Sequence, residues 1–295
     1  MNKISVIVPI YNALDEVKLL LDSLLENFNF YFGEVLLIND CSKEDTYNYL
    51  NEFVKANPQF TLINNEENLG FVKTCNKGMK LAKGDIVVLL NSDTMIPSGF
   101  CERIIKCFNS DEKIGIASPI SSFSNAYYIS MRKDMSLEDM NERLLKRHKC
   151  IYPQITTAEG FCYCIRKSVI EQQGYLDEIY GKGYGEESDY SCRASVNGWK
   201  NILIDDLYVY HKRCCSFGDE RRAVLKQKNM DIYLDRYGKY TDVIEDNIDR
   251  KMILKIEKEM FPIMKYFYFG LSKNKKHYII NILGIKIKIK NKKEQ

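Results

Sequence analysis

Ile86-Val87-Val88-Leu89-Leu90 is an unbroken apolar run that stops abruptly at Asn91-Ser92-Asp93. A run so short and so rich in Val and Leu reads as a strand buried on both faces, as in the middle of a parallel sheet. Ligands of open α/β sheets lie just beyond the carboxyl ends of such strands, so Asn91 and Asp93, alternate residues, would project into that crevice. Taken alone, the triplet has a plainer reading: Asn, Ser and Asp make the turn after a strand and cap the helix that Pro97 starts. The sharper reading is a divalent-metal and nucleotide site.

Strands of the same kind recur in the N-terminal half. Residues 4–8 end at Pro9, residues 35–38 end in Asn39-Asp40-Cys41-Ser42, and residues 60–63 precede Asn68-Leu69-Gly70-Phe71. Between them Leu14, Val17, Leu21, Leu24 and Phe28 repeat at helical spacing, a second helix runs from about Asp45 to Lys55, and a third carries Asn76 and Gly78. Strands alternating with helices predict an α/β fold with a doubly wound, mainly parallel sheet. Beyond Pro97, a helix through Phe100, Ile104 and Phe108 and a strand over 114–117 complete this half.

The regularity then lapses. Residues 119–155 are polar and aromatic, contain Ser121-Ser122-Phe123-Ser124-Asn125 and a charged helix from Leu137 to Lys149, and read as an insertion that lies over a site or covers a surface. His148, between Arg147 and Lys149, reads as a solvated surface residue. A strand resumes over 160–165. Gly181-Lys182-Gly183-Tyr184-Gly185 is a loop feeding Glu186-Glu187-Ser188-Asp189, with a helix from Tyr190 to Asn197 capped by Ser188 and stopped by Gly198. Arg193, four residues after Asp189 on that helix, is placed for an intrahelical pair. Strands around Ile202 and Val209 follow, the second ending at His211.

Composition narrows the function classes. The 295 residues are 45% hydrophobic, enough for a sizeable core, and 43 Lys+Arg against 40 Asp+Glu leave a net charge of +3, too small to argue for nucleic acid. Met1-Asn2-Lys3 runs directly into a strand with no apolar leader, and no stretch reaches membrane-spanning length, so the expectation is a soluble, cytoplasmic protein. Ten cysteines without a C-x-x-C read as reduced, mostly buried thiols.

Five motifs, each at a strand end or loop, carry a resemblance that composition cannot supply: V-I-V-P-I-Y-N, I-N-D-C-S, N-L-G-F with the following N-K-G, N-S-D, and G-Y-G-E-E-S-D-Y followed by V-Y-H-K. In this order they resemble family 2 glycosyltransferases of the GT-A fold, over residues 4 to about 220, and in particular the branch that builds bacterial O-antigen and other surface polysaccharides. The resemblance implies an inverting, metal-dependent transfer of a sugar from a nucleotide-sugar donor to a hydroxyl of a glycan or lipid-linked glycan acceptor.

It also implies roles for particular residues. Pro9, Tyr11 and Asn12 match the base-binding start, and Asp40 matches the acid that holds the nucleoside. Asn68, Gly70, Phe71, Asn76 and Gly78 match the loop and helix that shape the donor pocket. Asn91, Ser92 and Asp93 occupy the D-x-D position, with Asn91 towards the ribose and Asp93 on the metal; Asn91 brings no charge, unlike the usual first acid. His211 matches a second metal ligand, for Mn²⁺ or Mg²⁺. Gly160 and Phe161 fall in the acceptor-side strand, and Arg166 and Lys167, just after it, resemble the family's acceptor-side segment but read equally well as solvated cations. Of the three carboxylates in the E-E-x-D loop, Glu187 aligns with the general base, while Glu186 and Asp189 remain candidates; Asp189 is placed in the first turn of the helix, where the dipole favours an acid regardless of catalysis.

A helical and basic β-hairpin tail over 221–295 lies outside the resemblance. Its first part places Leu225, Met230 and Leu234 on an inward face, and its end reads as two strands hinged near Gly284, the second alternating Ile with Lys. Those lysines either protect an edge strand or give peripheral contact with an anionic membrane. Two other functions fit some of these features: a sugar nucleotidyltransferase, which would want a Gly-rich basic loop after the first strand where this chain has Pro9-Ile10-Tyr11-Asn12, and a catalytically silent nucleotide-sugar-binding partner of a synthase.

Overall fold

The computed structural model describes residues 3–124, 126–147, 149–212, 219–237, 248–261, 270–273, 277–282 and 285–290. His148, Asn125 and the adjacent cysteines at 214 and 215 fall outside that set. The chain forms two compact units, Met1–Arg250 and Lys251–Gln295.

The larger unit is built on one eight-stranded sheet. In chain order its strands are β1 (Ile4–Ile10), β2 (Gly33–Asn39), β3 (Phe60–Asn64), β4 (Ile86–Leu90), β5 (Thr94–Met95), β6 (Ile114–Ser121), β7 (Cys162–Arg166) and β8 (Lys200–His211). They lie side by side as β3-β2-β1-β4-β7-β6-β8-β5. The first four are parallel, β7 is antiparallel to both its neighbours, and β6 and β8 are parallel to each other. Consequently β1, β2, β4, β6 and β8 all end along one edge, and β7 begins there, with Leu90 opposite Cys162. That edge carries nearly every polar motif of the sequence.

Burial explains why these runs are strands. All seven residues of β1 and all five of β4 are buried, because helices cover both faces. Val6, Val8 and Ile10 pack with Val17, Leu20, Leu21 and Leu24 of α1 (Leu14–Asn27), Leu50 and Phe53 of α2 (Glu44–Ala56), and Phe100, Ile104 and Phe108 of α4 (Phe100–Ser110). Ile7 faces the other way, against Gly78 of α3 (Phe71–Leu81). Each aliphatic side chain so enclosed contributes about 1.5–3 kcal/mol. The described cysteines are unpaired; Cys75, Cys101, Cys107, Cys162, Cys164 and Cys192 are buried, and Cys41 and Cys150 are exposed.

Three elements differ from the sequence expectation. The strands expected around Ile202 and Val209 are one strand, β8, with a bulge: one step on β6, Pro119 to Ile120, is matched by four on β8, Ile204 to Tyr208. The inserted Asp205 and Asp206 are buried, and Asp205 accepts hydrogen bonds from the backbone N–H groups of Ile151 and Tyr152. Two carboxylates inside an apolar run imitate a strand break in sequence. Second, the helix after the glycine loop, α7 (Glu186–Val196), starts at Glu186 rather than after Ser188. Gly185, with φ of 103°, takes the left-handed N-cap conformation, so Glu186, Glu187 and Asp189 all sit in the first turn. The first-turn argument therefore does not separate Asp189 from the two glutamates.

Third, α8 (Asp219–Tyr237) packs on the larger unit with its polar side inward. Met230 and Leu234 are exposed, whereas Asn229 and Tyr233 are buried. Apolar periodicity misplaces this face because the surface that receives it is made of carbonyls and a carboxylate. Between β6 and β7 lies α5 (Leu137–Leu145), begun by Ser136 and Asp139 in a reciprocal capping box; α6 (Lys167–Gln173) follows β7. Past Arg250, the smaller unit holds most of α9 (Ile248–Met260) and an antiparallel sheet ordered β11-β10-β9, from β9 (Gly270–Lys273), β10 (His277–Ile282) and β11 (Ile285–Lys290). The hairpin expected near Gly284 is present, with Ile282 opposite Ile285, and the Ile-Lys strand is an edge strand. No helix among the described residues is long and apolar enough to cross a membrane.

Candidate active site

Because β4 and β8 end at the same edge, Asp93 and His211 meet although they lie 118 positions apart in sequence. Thr94 of β5 pairs with His211, and the Asp93 carbonyl accepts the Lys212 N–H at 3.0 Å. His211 Nε2 then stands 3.4 Å from Asp93 Oδ1, both side chains largely buried. The ring is held on three sides. Its backbone N–H donates to Ser122 Oγ (2.8 Å), that hydroxyl donates back to the His211 carbonyl (2.9 Å), and Phe161 stacks on the imidazole at 5.2 Å between centroids. Nδ1 lies 2.8 Å from the Phe123 carbonyl. A carbonyl only accepts, so Nδ1 carries a proton, and Nε2 is the nitrogen that faces the Asp93 carboxylate; in the neutral tautomer it holds the lone pair. Two electron-pair donors facing each other want a cation between them, and a carbonyl-anchored imidazole is the usual way a protein orients a metal-binding histidine. Adjacent ligands of an octahedral ion at about 2.1 Å stand roughly 3 Å apart, so the observed spacing fits. Among the described residues no group of three or more His, Cys, Asp and Glu side chains converges as a full cage.

Asn91 and Ser92 complete the turn at half-buried positions. The Asn91 N–H donates to the Phe161 carbonyl (2.9 Å) and its carbonyl accepts from Thr94 Oγ1 (2.7 Å). Phe161 therefore touches both the Asn91 backbone and the His211 ring. Its neighbour Gly160 lies against the Glu187 side chain, where an added Cβ would stand 3.6 Å from Glu187 Cδ. The acceptor-side pair thus joins the Asp93–His211 corner to the E-E loop.

Glu186 and Glu187 are a coupled pair. Glu186 is buried, its Oε2 has no hydrogen-bond partner, and burial together with the neighbouring Glu187 charge pushes its carboxyl well above the usual range. Burial raises Glu187 too, opposed by the Gly185 N–H, which donates to Glu187 Oε2 at 3.2 Å, and by the Lys226 ammonium. The backbone beneath is pinned by Tyr163, whose hydroxyl donates to the Glu187 carbonyl (3.0 Å) and lies 2.7 Å from Ser191 Oγ. Asp189 is in a different situation. Fully buried, it accepts from Arg193 Nε (2.8 Å), Arg236 Nη1 (2.9 Å) and the Tyr237 hydroxyl (2.8 Å), so both oxygens are engaged inside the fold.

The donor-side residues form a second layer. Asp40, buried at the end of β2, accepts from the Leu69 N–H (2.8 Å) and Asn65 Nδ2 (2.8 Å) on one oxygen and from the Gly70 N–H (2.9 Å) on the other. Its carboxylate thereby shapes the 65–70 loop. Asn68 reaches the Asp40 carbonyl at 3.4 Å, and Gly70, with φ of 80°, lies against Gly181 and Lys182. Asn12, also left-handed, accepts the Lys43 N–H through its side chain at 2.8 Å, tying the first strand's end to the second. Pro9 sits within β1 opposite Ile38, and the Tyr11 ring is exposed beside them.

Two expected positions lie elsewhere. Asn76 is buried with its amide spent on Leu176, donating to that carbonyl (2.9 Å) and accepting its N–H (3.0 Å), so it fastens α3 to the 176–178 turn. Arg166 pairs opposite Ile86, at the far end of β4 from Asn91, and donates to the carbonyls of Ile114 and Phe108 (2.7 Å each). Motif reading also passes over Ser122, Phe123 and Asn65, which act through carbonyls or short hydroxyl and amide bonds; the run Ser121-Ser122-Phe123-Ser124 in the insertion was the available signal for two of them.

The sequence profile of glycosyl transferase family 2 matches residues 5–174, more than half of the chain. The chain belongs to glycosyl transferase family 2. The matched stretch carries the chain from β1 through α6, including Asp40, Asp93 and Phe161. Among family relatives, poly-beta-1,6-N-acetyl-D-glucosamine synthase of Staphylococcus epidermidis is 28% identical over 211 residues, 71% of this chain and 48% of the relative. Putative glycosyltransferase EpsH of Bacillus subtilis is 25% identical over 213 residues, 71% of this chain and 60% of the relative. The chain therefore spans about half the length of these relatives. Mannosyltransferase PcManGT from Pyrobaculum calidifontis, solved with GDP-Man and Mn²⁺, superposes with a TM-score of 0.58 at 17% identity, over 88% of this chain and 70% of that one. GalNAc-T7, solved with UDP, GalNAc and Mn²⁺, gives 0.60 at 15% identity, over 94% and 60%. These likenesses establish the shared GT-A fold.

Proposed function

We propose that this family 2 domain is a metal-dependent, inverting glycosyltransferase that moves a sugar from a nucleotide-sugar donor to a hydroxyl of a growing surface glycan. The observation that carries the reading is the Asp93–His211 pair, a carboxylate oxygen and an imidazole nitrogen 3.4 Å apart with Nδ1 turned to the Phe123 carbonyl. These two residues would hold Mn²⁺ or Mg²⁺, which would supply Lewis-acid stabilisation of the negative charge on the departing diphosphate. Solved GT-A structures carrying GDP-Man or UDP with Mn²⁺, and relatives named for a poly-N-acetylglucosamine product, support the donor class and the glycan acceptor.

The remaining residues divide the work. Tyr11 offers an exposed ring for the base, Asp40 holds the 65–70 loop as a wall of the nucleoside pocket, and Asn91 faces the ribose. Glu187 takes the acceptor proton as the acceptor oxygen bonds to the anomeric carbon and the bond to the diphosphate breaks with its electron pair. Glu186 carries the proton of the pair, so Glu187 stays ionised beside it. Asp189 serves the loop's structure rather than the chemistry.

A melting-temperature series with UDP and GDP, with and without Mn²⁺, tests the metal corner. A ligand at a hundredfold excess over its Kd stabilises by about 2.7 kcal/mol. The gain that depends on Mn²⁺ is expected to vanish in Asp93→Ala and to shrink in His211→Ala. An unchanged Mn²⁺ dependence in both variants would defeat the assignment.

A further inference from the structure

The Gly181–Gly185 loop sets where Glu187 points, and its own restraint comes from a helix beyond the family match. Residues 226, 229, 233, 236 and 237 recur at three- and four-residue spacing, so they form one stripe of α8. Asn229, buried, donates through Nδ2 to both the Tyr180 carbonyl (2.9 Å) and the Gly183 carbonyl (2.8 Å), one on each side of the Gly181-Lys182 turn. Lys226 Nζ lies 5.1 Å from the centroid of the Tyr184 ring. Arg236 Nη1 reaches Asp177 (2.8 Å) and Asp189 (2.9 Å), the Tyr237 hydroxyl reaches Asp189, and the Tyr233 hydroxyl lies 3.1 Å from Cys192 Sγ. The loop is thereby held before its first glycine, within it and after it.

The Gly183 N–H also donates to the Tyr180 carbonyl (3.2 Å), closing the Gly181-Lys182 turn, and Asn229 adds a bond to the carbonyl at each end of it. Gly181, Gly183 and Gly185 all have positive φ, a backbone conformation that glycine adopts without strain. Gly185 is the hinge that matters, because its N–H donates to Glu187 Oε2 and an added Cβ there would stand 3.8 Å from Asn229 Cβ. We infer that Asn229 is a positioning residue which, through the Tyr180 and Gly183 carbonyls, fixes the loop that aims Glu187. The inference rests on the reading of Glu187 as the base. The Glu187 carboxylate accepts from the Gly185 N–H, Glu186 precedes it on the same helix, the Tyr163 hydroxyl of β7 holds its backbone carbonyl, and Lys226 of α8 lies over the nearby Tyr184 ring.

Titration of the glutamate carboxyls by ¹³C NMR on the full chain reads this without a substrate, with Glu187→Gln identifying the Glu187 signal. Asn229→Leu frees the loop and withdraws the Gly185 N–H, so the Glu187 titration moves to higher pH. Release of UDP from UDP-N-acetylglucosamine or GDP from GDP-mannose with Mn²⁺ is expected to fall by about 10²-fold in kcat for Asn229→Leu, with the donor KM near wild type. A helix that only stabilised the fold would lower the melting temperature and leave the titration in place. Wild-type Glu187 titration in Asn229→Leu overturns the inference; should that variant not fold, Asn229→Ser, which withdraws the amide with a smaller change in shape, is read in its place by the same criterion. Undiminished turnover by Glu187→Gln would instead overturn the base assignment, which separates the two failures.

Discussion

Glu186 and Glu187 are adjacent in sequence yet differ in what surrounds them. Glu186 points into the fold, with one oxygen lacking any partner, whereas Glu187 has the Gly185 N–H, Lys226 and a place beside Gly160. The folded state therefore binds the Glu186 proton more tightly than the unfolded chain does. Its contribution to stability is complete below the ordinary carboxylate range and declines as pH rises through the raised folded value. Glu186→Gln, which keeps the protonated shape, is expected to flatten that decline; melting temperatures measured from pH 5 to about 8 check it, and a decline as steep as wild type would contradict it. For Glu187 the raised value means that turnover falls as pH drops through a point above the ordinary carboxylate range. Glu187→Gln should lose roughly 10²–10⁴-fold in transfer, the size of a general-base contribution, while nucleotide and Mn²⁺ affinity stay near wild type.

Helices α7 and α8 show why some elements are legible in sequence and others are not. The stop of α7 at Gly198, with φ of 86°, and the Asp189–Arg193 pair follow from local rules, and both are present. Its start does not follow, because Gly185 rather than Ser188 supplies the N-cap geometry, a choice made by the loop's contacts with Tyr180 and Asn229. The inward face of α8 is likewise decided by distant polar partners. Asp189 joins the two helices through Arg236 and is also paired within its own helix by Arg193. Asp189→Asn removes the charge that both guanidiniums face and should destabilise by about 3 kcal/mol, a loss readable in urea unfolding; a change within error would show that the cluster contributes little.

At the scale of the molecule, the parallel half of the sheet was readable because its strands are short apolar runs: 35–38 and 86–90 have no polar interruption, and 4–8 and 60–63 carry only Ser5 and Thr61. The strand ends were readable too, since Asp40, Asn91, Asp93 and His211 each follow such a run, and the shared direction of β2, β4 and β8 gathers them at one edge. What escaped was either carried by backbone, as with the Phe123 carbonyl and the Asp40-bound loop, or placed far from the site by strand direction, as with Arg166. The central claim is a transfer from a nucleotide sugar with loss of the nucleoside diphosphate. Incubating the full chain with UDP-N-acetylglucosamine or GDP-mannose, Mn²⁺ and an N-acetylglucosamine oligosaccharide, and identifying the nucleotide product, tests it most directly. The account predicts UDP or GDP, with release abolished in Asp93→Ala and sharply reduced in Glu187→Gln. Donor binding without turnover, or pyrophosphate released from a sugar phosphate and a nucleoside triphosphate in its place, would contradict it.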